Sequence, residues 1–143
     1  MMDGTMKLYD PLYVAFLFHF NKDRDYFECH EVMEHLWLQE ARDPLYQGLL
    51  QVAVGLYHHR NGNIDGGIKL LSAAIQKLEG YSAQRLGIHM EQLIEDAKEH
   101  LCKLQSHNKE TFLFRDLNIM ITDPQLARRI EEYDPKDLPS DDE

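Results

Sequence analysis

Residues 44–59 contain no Asp, Glu, Lys or Arg, although 28% of the whole chain is charged. Placed at about 100° per residue, this stretch predicts a helix that is apolar almost all round, which is typical of a central, buried helix. Gln47, Gln51 and His58 make a single polar stripe along it. Solvent-facing positions elsewhere in the chain carry Lys and Glu, so this stripe favours a buried polar network over a narrow solvent face.

The uncharged stretch is one of several helical segments separated by short breaks. Asp10 and Asp123 each precede a proline, and Asn63 follows Gly62, so these three polar residues are predicted N-caps. Short connections make neighbouring helices antiparallel. We therefore predict an all-α, single-domain bundle of four to five helices with a short C-terminal extension. The predicted helical segments are residues 10–21, 23–41, 45–62, 63–80, 89–105 and 124–132.

The C-terminal part of the chain is predicted to be less regular. Residues 111–121 are rich in β-branched and aromatic side chains, which predicts a strand or an extended arm packed on the bundle. The bundle domain is expected to span residues 1–132, including this arm and the last helix. Residues 133–143 are acidic and contain prolines, which predicts a disordered tail.

The charge balance argues against several classes of protein. The net charge is -10 and the pI is about 5.2, whereas nucleic acids and anionic membranes bind cationic surfaces. No apolar run is long enough to span a bilayer, and the N-terminus lacks the basic region of a signal peptide. Cys29 and Cys102 form no C-x-x-C pair, so two reduced, buried thiols are expected. These features predict a cytoplasmic protein with no nucleic-acid or membrane partner.

Residues 26–37, YFECHEVMEHLW, hold the best candidates for a functional site. On a helical wheel His30 lies within the apolar face and Glu34 lies one turn later at its edge, so both side chains can point at one neighbour. Glu31 lies further round, towards solvent. The uncharged helix is the predicted neighbour, and its polar stripe would then share a pocket with the two side chains.

A divalent metal ion is one possible occupant of this pocket. His30 and Glu34, one turn apart, can hold an ion, and His58 would complete a three-ligand site with an open position. Glu31 and Glu34 are then the candidate catalytic carboxylates of a metal-dependent hydrolase. The motif match is partial, because H-E-x-x-H needs a histidine at position 34. The chain contains no E-x-x-H, which excludes a carboxylate-bridged di-iron site.

A structural network is the preferred interpretation of the same residues. A buried pair of His30 and Glu34, with its remaining hydrogen-bonding groups satisfied by the polar stripe, would fix the helix register without any substrate. Trp37 and Tyr57 would pack beside it, with the indole N–H and the phenol O–H bonded. The predicted network comprises His30, Glu31, Glu34, Trp37, Gln47, Gln51, Tyr57 and His58.

Several motifs of the chain resemble a known family. H-E-x-x-E-x-x-W at residues 30–37, Q-G-L-x-Q at residues 47–51, Tyr57-His58 and Gly62-Asn63 are similar to the pattern of the bacterial and archaeal family called domain of unknown function 309. The resemblance covers roughly the first half of the chain. It implies a small, cytosolic, all-helical bundle, and it implies no activity.

Residues 55–78 also resemble one helix hairpin of the tetratricopeptide type, with Gly55, Gly67, Leu71 and Ala74 at the packing positions. Such repeats need about three copies for stability, and the sequence has no second copy. Two helices that cross closely at small residues are therefore expected. The likeness keeps open a groove for a partner segment. We predict a structural or interaction module that binds a protein partner or forms a homo-oligomer, with the metal-dependent hydrolase as the alternative.

Overall fold

The computed structural model describes residues 9–81, 85–106 and 113–137. Over those residues it contains six α-helices, two short 3-10 helices and no strand, which confirms the all-α class. The sixth helix belongs to the predicted C-terminal extension. The α-helices are α1 (Pro11–Asn21), α2 (Tyr26–Gln39), α3 (Pro44–Arg60), α4 (Ile64–Leu78), α5 (Met90–Gln105) and α6 (Pro124–Glu132), and the 3-10 helices are Arg85–Gly87 and Pro135–Asp137.

The three predicted N-caps are confirmed. A carboxylate oxygen of Asp10 accepts a hydrogen bond from the Leu12 N–H at 2.8 Å, and Asp123 does the same for Gln125 at 2.9 Å. The side-chain oxygen of Asn63 accepts from the Gly66 N–H at 3.0 Å. Each cap satisfies a backbone donor that has no partner within its own helix.

Successive helices pack on one another along the chain from α1 to α5, and α6 packs on α1. The closest approach is between α3 and α4. A Cβ atom added to Gly55 would lie 2.9 Å from Leu71 Cγ, and one added to Gly67 would lie 3.3 Å from the Gly55 carbonyl oxygen. The two helices therefore cross at small residues, as expected for the repeat-like hairpin.

The most enclosed helix is α1 rather than the predicted α3. Every residue from Leu12 to Leu17 is buried, as are His19 and Phe20. Helix α3 is buried on one side only, and Gln47, Leu50 and Val54 on its other side are half-buried. The uncharged composition of α3 indicated burial on all sides. Within the described residues, however, no further helix covers the side that carries Gln47, Leu50 and Val54.

Residues 113–121 form an extended arm, one of the two forms predicted for this region; residues 111 and 112 lie outside the described part. The arm is tied to the end of α1 by Asn21, whose amide nitrogen donates to the Ile119 carbonyl at 2.8 Å. The amide oxygen of the same side chain accepts from the Ile119 N–H at 2.9 Å. A single antiparallel bridge joins Ile121 to Ile88.

The residues predicted as an acidic tail are described only up to 137, and residues 138–143 lie outside that part. The ring of Tyr133 lies 5.0 Å from that of Phe18, so the chain still contacts the bundle just after α6. Cys29 is buried as predicted, whereas the prediction was wrong for Cys102, which is exposed on α5. Among the described helices, none combines the length and the apolarity needed to cross a bilayer.

Candidate functional site

The outer side of α2 carries an exposed stripe, Phe27, Glu31, Glu34 and Leu38, which we call the α2 stripe. These residues are spaced i, i+4, i+7 and i+11, so they follow one line along the helix. Phe27 is 53% exposed and Leu38 is 48% exposed. Four large apolar side chains are exposed in the described part of the chain, and two of them lie on this stripe.

His30 lies beside the stripe, between its two carboxylates. Its Nε2 atom is 3.3 Å from Glu34 Oε1, and its Nδ1 atom is 3.6 Å from Glu31 Oε2. The predicted pairing of His30 with Glu34 is therefore present, and Glu31 joins it from the other side of the ring. The imidazole therefore lies between the two carboxylates in the middle of the stripe.

The predicted burial of the His30–Glu34 pair is wrong, whereas Glu31 lies towards solvent as the helical wheel predicted. The side chain of His30 is 37% exposed, and those of Glu31 and Glu34 are 51% and 48% exposed. The face of α2 that enters the core is centred on Cys29, Met33 and Leu36 and also includes Val32. His30 is therefore at the edge of the buried face, and Glu34 lies on the solvent side of that edge.

Helix α3 supplies the inner border of this surface. The ring of Tyr57 lies 6.1 Å from that of Phe27, so the end of α3 lies beside the start of α2. His58 is half-buried, and its Nδ1 atom is 3.4 Å from the Asn63 amide nitrogen. Gln47 and Gln51 are half-buried on the same helix.

The predicted hydrogen-bonded network does not form through Trp37 and Gln51. The indole nitrogen of Trp37 and the amide oxygen of Gln51 are buried, and neither has a hydrogen-bond partner within the described residues. The guanidinium of Arg42 lies over the Trp37 ring at 5.3 Å. An unpaired buried polar atom lowers the free energy of unfolding by about 1–3 kcal/mol. Both atoms therefore destabilise the fold unless another group bonds them.

The predicted metal ligands His30, Glu34 and His58 are not brought together. Within the described residues, one group of three possible ligands has its donor atoms within 4.8 Å of one another, and it consists of His19, Asp23 and Asp25. Asp23 pairs with His19 Nδ1 at 3.1 Å, and Asp25 caps the first turn of α2. Both carboxylates of that group therefore have structural roles.

A buried histidine pair, which the sequence patterns did not predict, lies on the opposite side of α3. His59 Nδ1 lies 2.8 Å from His100 Nε2, and the two residues are only 5% and 4% exposed. The ring of Phe114, from the arm, lies edge-on to both imidazoles. One ring must donate an N–H and the other must accept it, so the pair is suited to neutral imidazoles.

The surroundings of His100 favour the neutral form. Burial lowers the pKa of His100 to about 4, and the neighbouring His59, Lys103 and Arg115 lower it in the same direction. A cavity of about 230 Å³ between α5 and the arm adjoins this ring and is also lined by Asp116. The sequence does carry a signal for this histidine, because it falls in register with the apolar positions of α5, Leu93, Ala97 and Leu104.

Similar proteins do not assign a function to these sites. Residues 13–70 match the model of a family described as a domain of unknown function (DUF309), which confirms the resemblance that the motifs indicated. The chain is similar to the uncharacterized protein YpuF of Bacillus subtilis (strain 168), with 37% identity over 93 residues, 62% of this chain and 53% of that relative. The chain thus spans about half the length of the curated relative it matches. No solved structure matches it.

Proposed function

We propose that this chain is a protein-interaction module and that the α2 stripe, with the neighbouring edge of α3, is its docking surface. The observation that supports this proposal most directly is the line of Phe27, Glu31, Glu34 and Leu38 on the outside of α2. Two half-exposed apolar side chains in line on one helix face offer anchor points of the kind that helix–helix recognition uses.

The energetics of the surface are suited to docking. Phe27 and Leu38 each leave about half of the side chain in water, so covering each would stabilise a complex by roughly 1 kcal/mol. Phe27 already contacts Tyr57 through the ring, which holds its aromatic side chain in place before a partner arrives. Anchors that are ordered in advance lose less side-chain entropy on binding.

The unpaired indole nitrogen of Trp37 and amide oxygen of Gln51 are consistent with this function. Both atoms lie in the α2–α3 pair that carries the proposed surface. A buried polar atom without a partner in the native structure requires an explanation, and a functional role is one such explanation. Both atoms are inaccessible from outside, so only a side-chain rotation that accompanies docking would bring them to a partner.

The proposed module works in the cytosol on a protein rather than on a nucleic acid. Both cysteines are free thiols, which is usual in a reducing compartment. The net charge of -10 disfavours contact with phosphate backbones. The metal-dependent hydrolase remains a prediction from residue spacing, since no ligand geometry favours it.

The proposal can be tested with a displayed library of random helical peptides, using the full chain as bait. We expect the parent to enrich binders whose affinity falls at least tenfold with the Phe27→Ser/Leu38→Ser variant. The matched control is Leu113→Ser/Met120→Ser, which removes the other two exposed apolar side chains of the described residues. Equal binding to parent and Phe27→Ser/Leu38→Ser would refute the α2 stripe as the docking surface.

A further inference from the structure

We infer that the partner covering the α2 stripe is a cationic amphipathic helix, with Lys or Arg placed between two apolar anchors. This inference rests on the proposed docking function. It follows from the order of side chains along the stripe, in which an apolar residue stands at each end and the two carboxylates stand between them.

The length of the stripe defines the partner. Phe27 and Leu38 are eleven positions apart, which is roughly 16 Å along a helix at 1.5 Å per residue. A partner helix lying along α2 would cover both ends with apolar side chains three turns apart. One or two turns inside those anchors, its side chains would meet Glu31 and Glu34, so cations are required at those positions.

The two carboxylates are available to such a cation. Within the described residues neither Glu31 nor Glu34 pairs with a lysine or arginine, and the His30 imidazole lies beside both. The nearby guanidinium groups have other contacts. Arg42 lies over Trp37, and Arg60 lies over Tyr26.

A second copy of this chain is a poorer occupant. If two α2 stripes meet antiparallel, Phe27 faces Leu38 of the other copy, but Glu31 then faces Glu34. If they meet parallel, each glutamate faces its own counterpart. Both arrangements bring like charges together at the centre of the interface, which is unfavourable. The net charge of -10 on each copy adds long-range repulsion.

The test compares the binders selected by three forms of the full chain from one library of displayed helices. We expect the parent to enrich Lys or Arg at the two positions between apolar anchors, and the Glu31→Lys/Glu34→Lys variant to enrich Asp or Glu there. The matched control is Glu91→Lys/Glu95→Lys, which makes the same change in net charge on exposed positions of α5. It should select the same binders as the parent.

One synthetic peptide from the parent selection then gives the magnitude. By fluorescence anisotropy, we expect its affinity to fall at least tenfold with Glu31→Lys/Glu34→Lys and less than twofold with Glu91→Lys/Glu95→Lys. Binders that require Phe27 and Leu38 but lack cations would overturn this inference while leaving the docking function intact. Loss of the requirement for Phe27 and Leu38 would overturn both. A dimer in analytical ultracentrifugation that Phe27→Ser/Leu38→Ser abolishes would identify a second copy as the occupant instead.

Discussion

His30 and His59 lie on opposite sides of the α2–α3 pair and have contrasting surroundings. His30 is partly exposed and has a carboxylate on each side of its ring. His59 is buried, its partner is another imidazole, and an aromatic ring from the arm closes over both. Histidine therefore lies between two exposed carboxylates in one region and joins three segments of the core in the other.

The two regions should therefore differ in how they tolerate substitution. A group in contact with water keeps its hydration when its partner is removed, so the loss is small. A buried polar group without its partner keeps its desolvation cost, and the removed side chain also leaves a cavity. We therefore expect mutations near His59 to act on stability and mutations near His30 to act on binding.

The largest effect is expected for His100→Ala. It removes the hydrogen-bond partner of His59 and empties space in the core next to Phe114. We expect the free energy of unfolding to fall by about 2–4 kcal/mol, measured by urea denaturation at pH 7.5. His30→Ala is the control and should change it by less than about 0.5 kcal/mol. Equal losses of unfolding free energy in His100→Ala and His30→Ala would contradict the expected difference between the buried and the exposed histidine.

The second effect is a pH dependence that His100 contributes. Its pKa is about 4 in the folded protein and near 6.5 when unfolded, so the unfolded chain binds more protons between those values. The contribution of His100 to the free energy of unfolding is therefore fully present above pH 6.5 and is lost as the pH is lowered towards 4. We expect a contribution of roughly 3 kcal/mol, measured as the difference in pH profile between the parent and His100→Gln. Superimposable profiles would show that folding does not lower the pKa of His100.

A smaller loss is expected when the arm is loosened by Asn21→Ala. The substitution removes both hydrogen bonds between this side chain and the backbone of Ile119. We expect a loss of about 1–2 kcal/mol in unfolding free energy, together with faster hydrogen exchange at the Ile119 amide. Unchanged exchange at that amide would mean that the other contacts of the arm are sufficient to hold it.

The smallest effect is expected for Glu34→Gln. Because the carboxylate is 48% exposed and pairs only with His30 among the described residues, we expect a change of less than about 0.5 kcal/mol. The denaturant midpoint should therefore match that of the parent, although binding of the cationic helix should weaken. A loss of 1–3 kcal/mol, the range for a disturbed buried hydrogen bond, would restore the structural interpretation of this pair.

Local features of the fold could be predicted from the sequence because they depend on neighbouring residues. Asp10, Asn63 and Asp123 reach backbone groups only two or three positions away, so residue type and position define the caps. The spacing of His30 and Glu34 likewise predicted their contact. Their burial could not be predicted in the same way, because a wheel shows which residues share a face but not where the covered face ends.

The features that sequence analysis missed depend on distant residues. His59 and His100 are 41 positions apart, and nothing in either helix indicates that the two apolar faces meet at these histidines. Gln51 illustrates the same limit. Its side chain was expected to complete a network, yet its buried oxygen has no partner within the described residues, because the groups predicted to bond it lie on the solvent side of α2.

The attachment of the arm has a consequence for the order of folding. Asn21 and Ile119 are 98 positions apart, and Tyr26 donates to Asp116 across 90 positions, whereas α1 to α4 pack mainly on their neighbours in the chain. Contacts of such high contact order form slowly, because a long loop must close first. During synthesis the early helices can assemble while the arm is still inside the ribosome. The turn between α1 and α2 gains its remaining hydrogen bonds only after the arm, residues 113–121, has been synthesised.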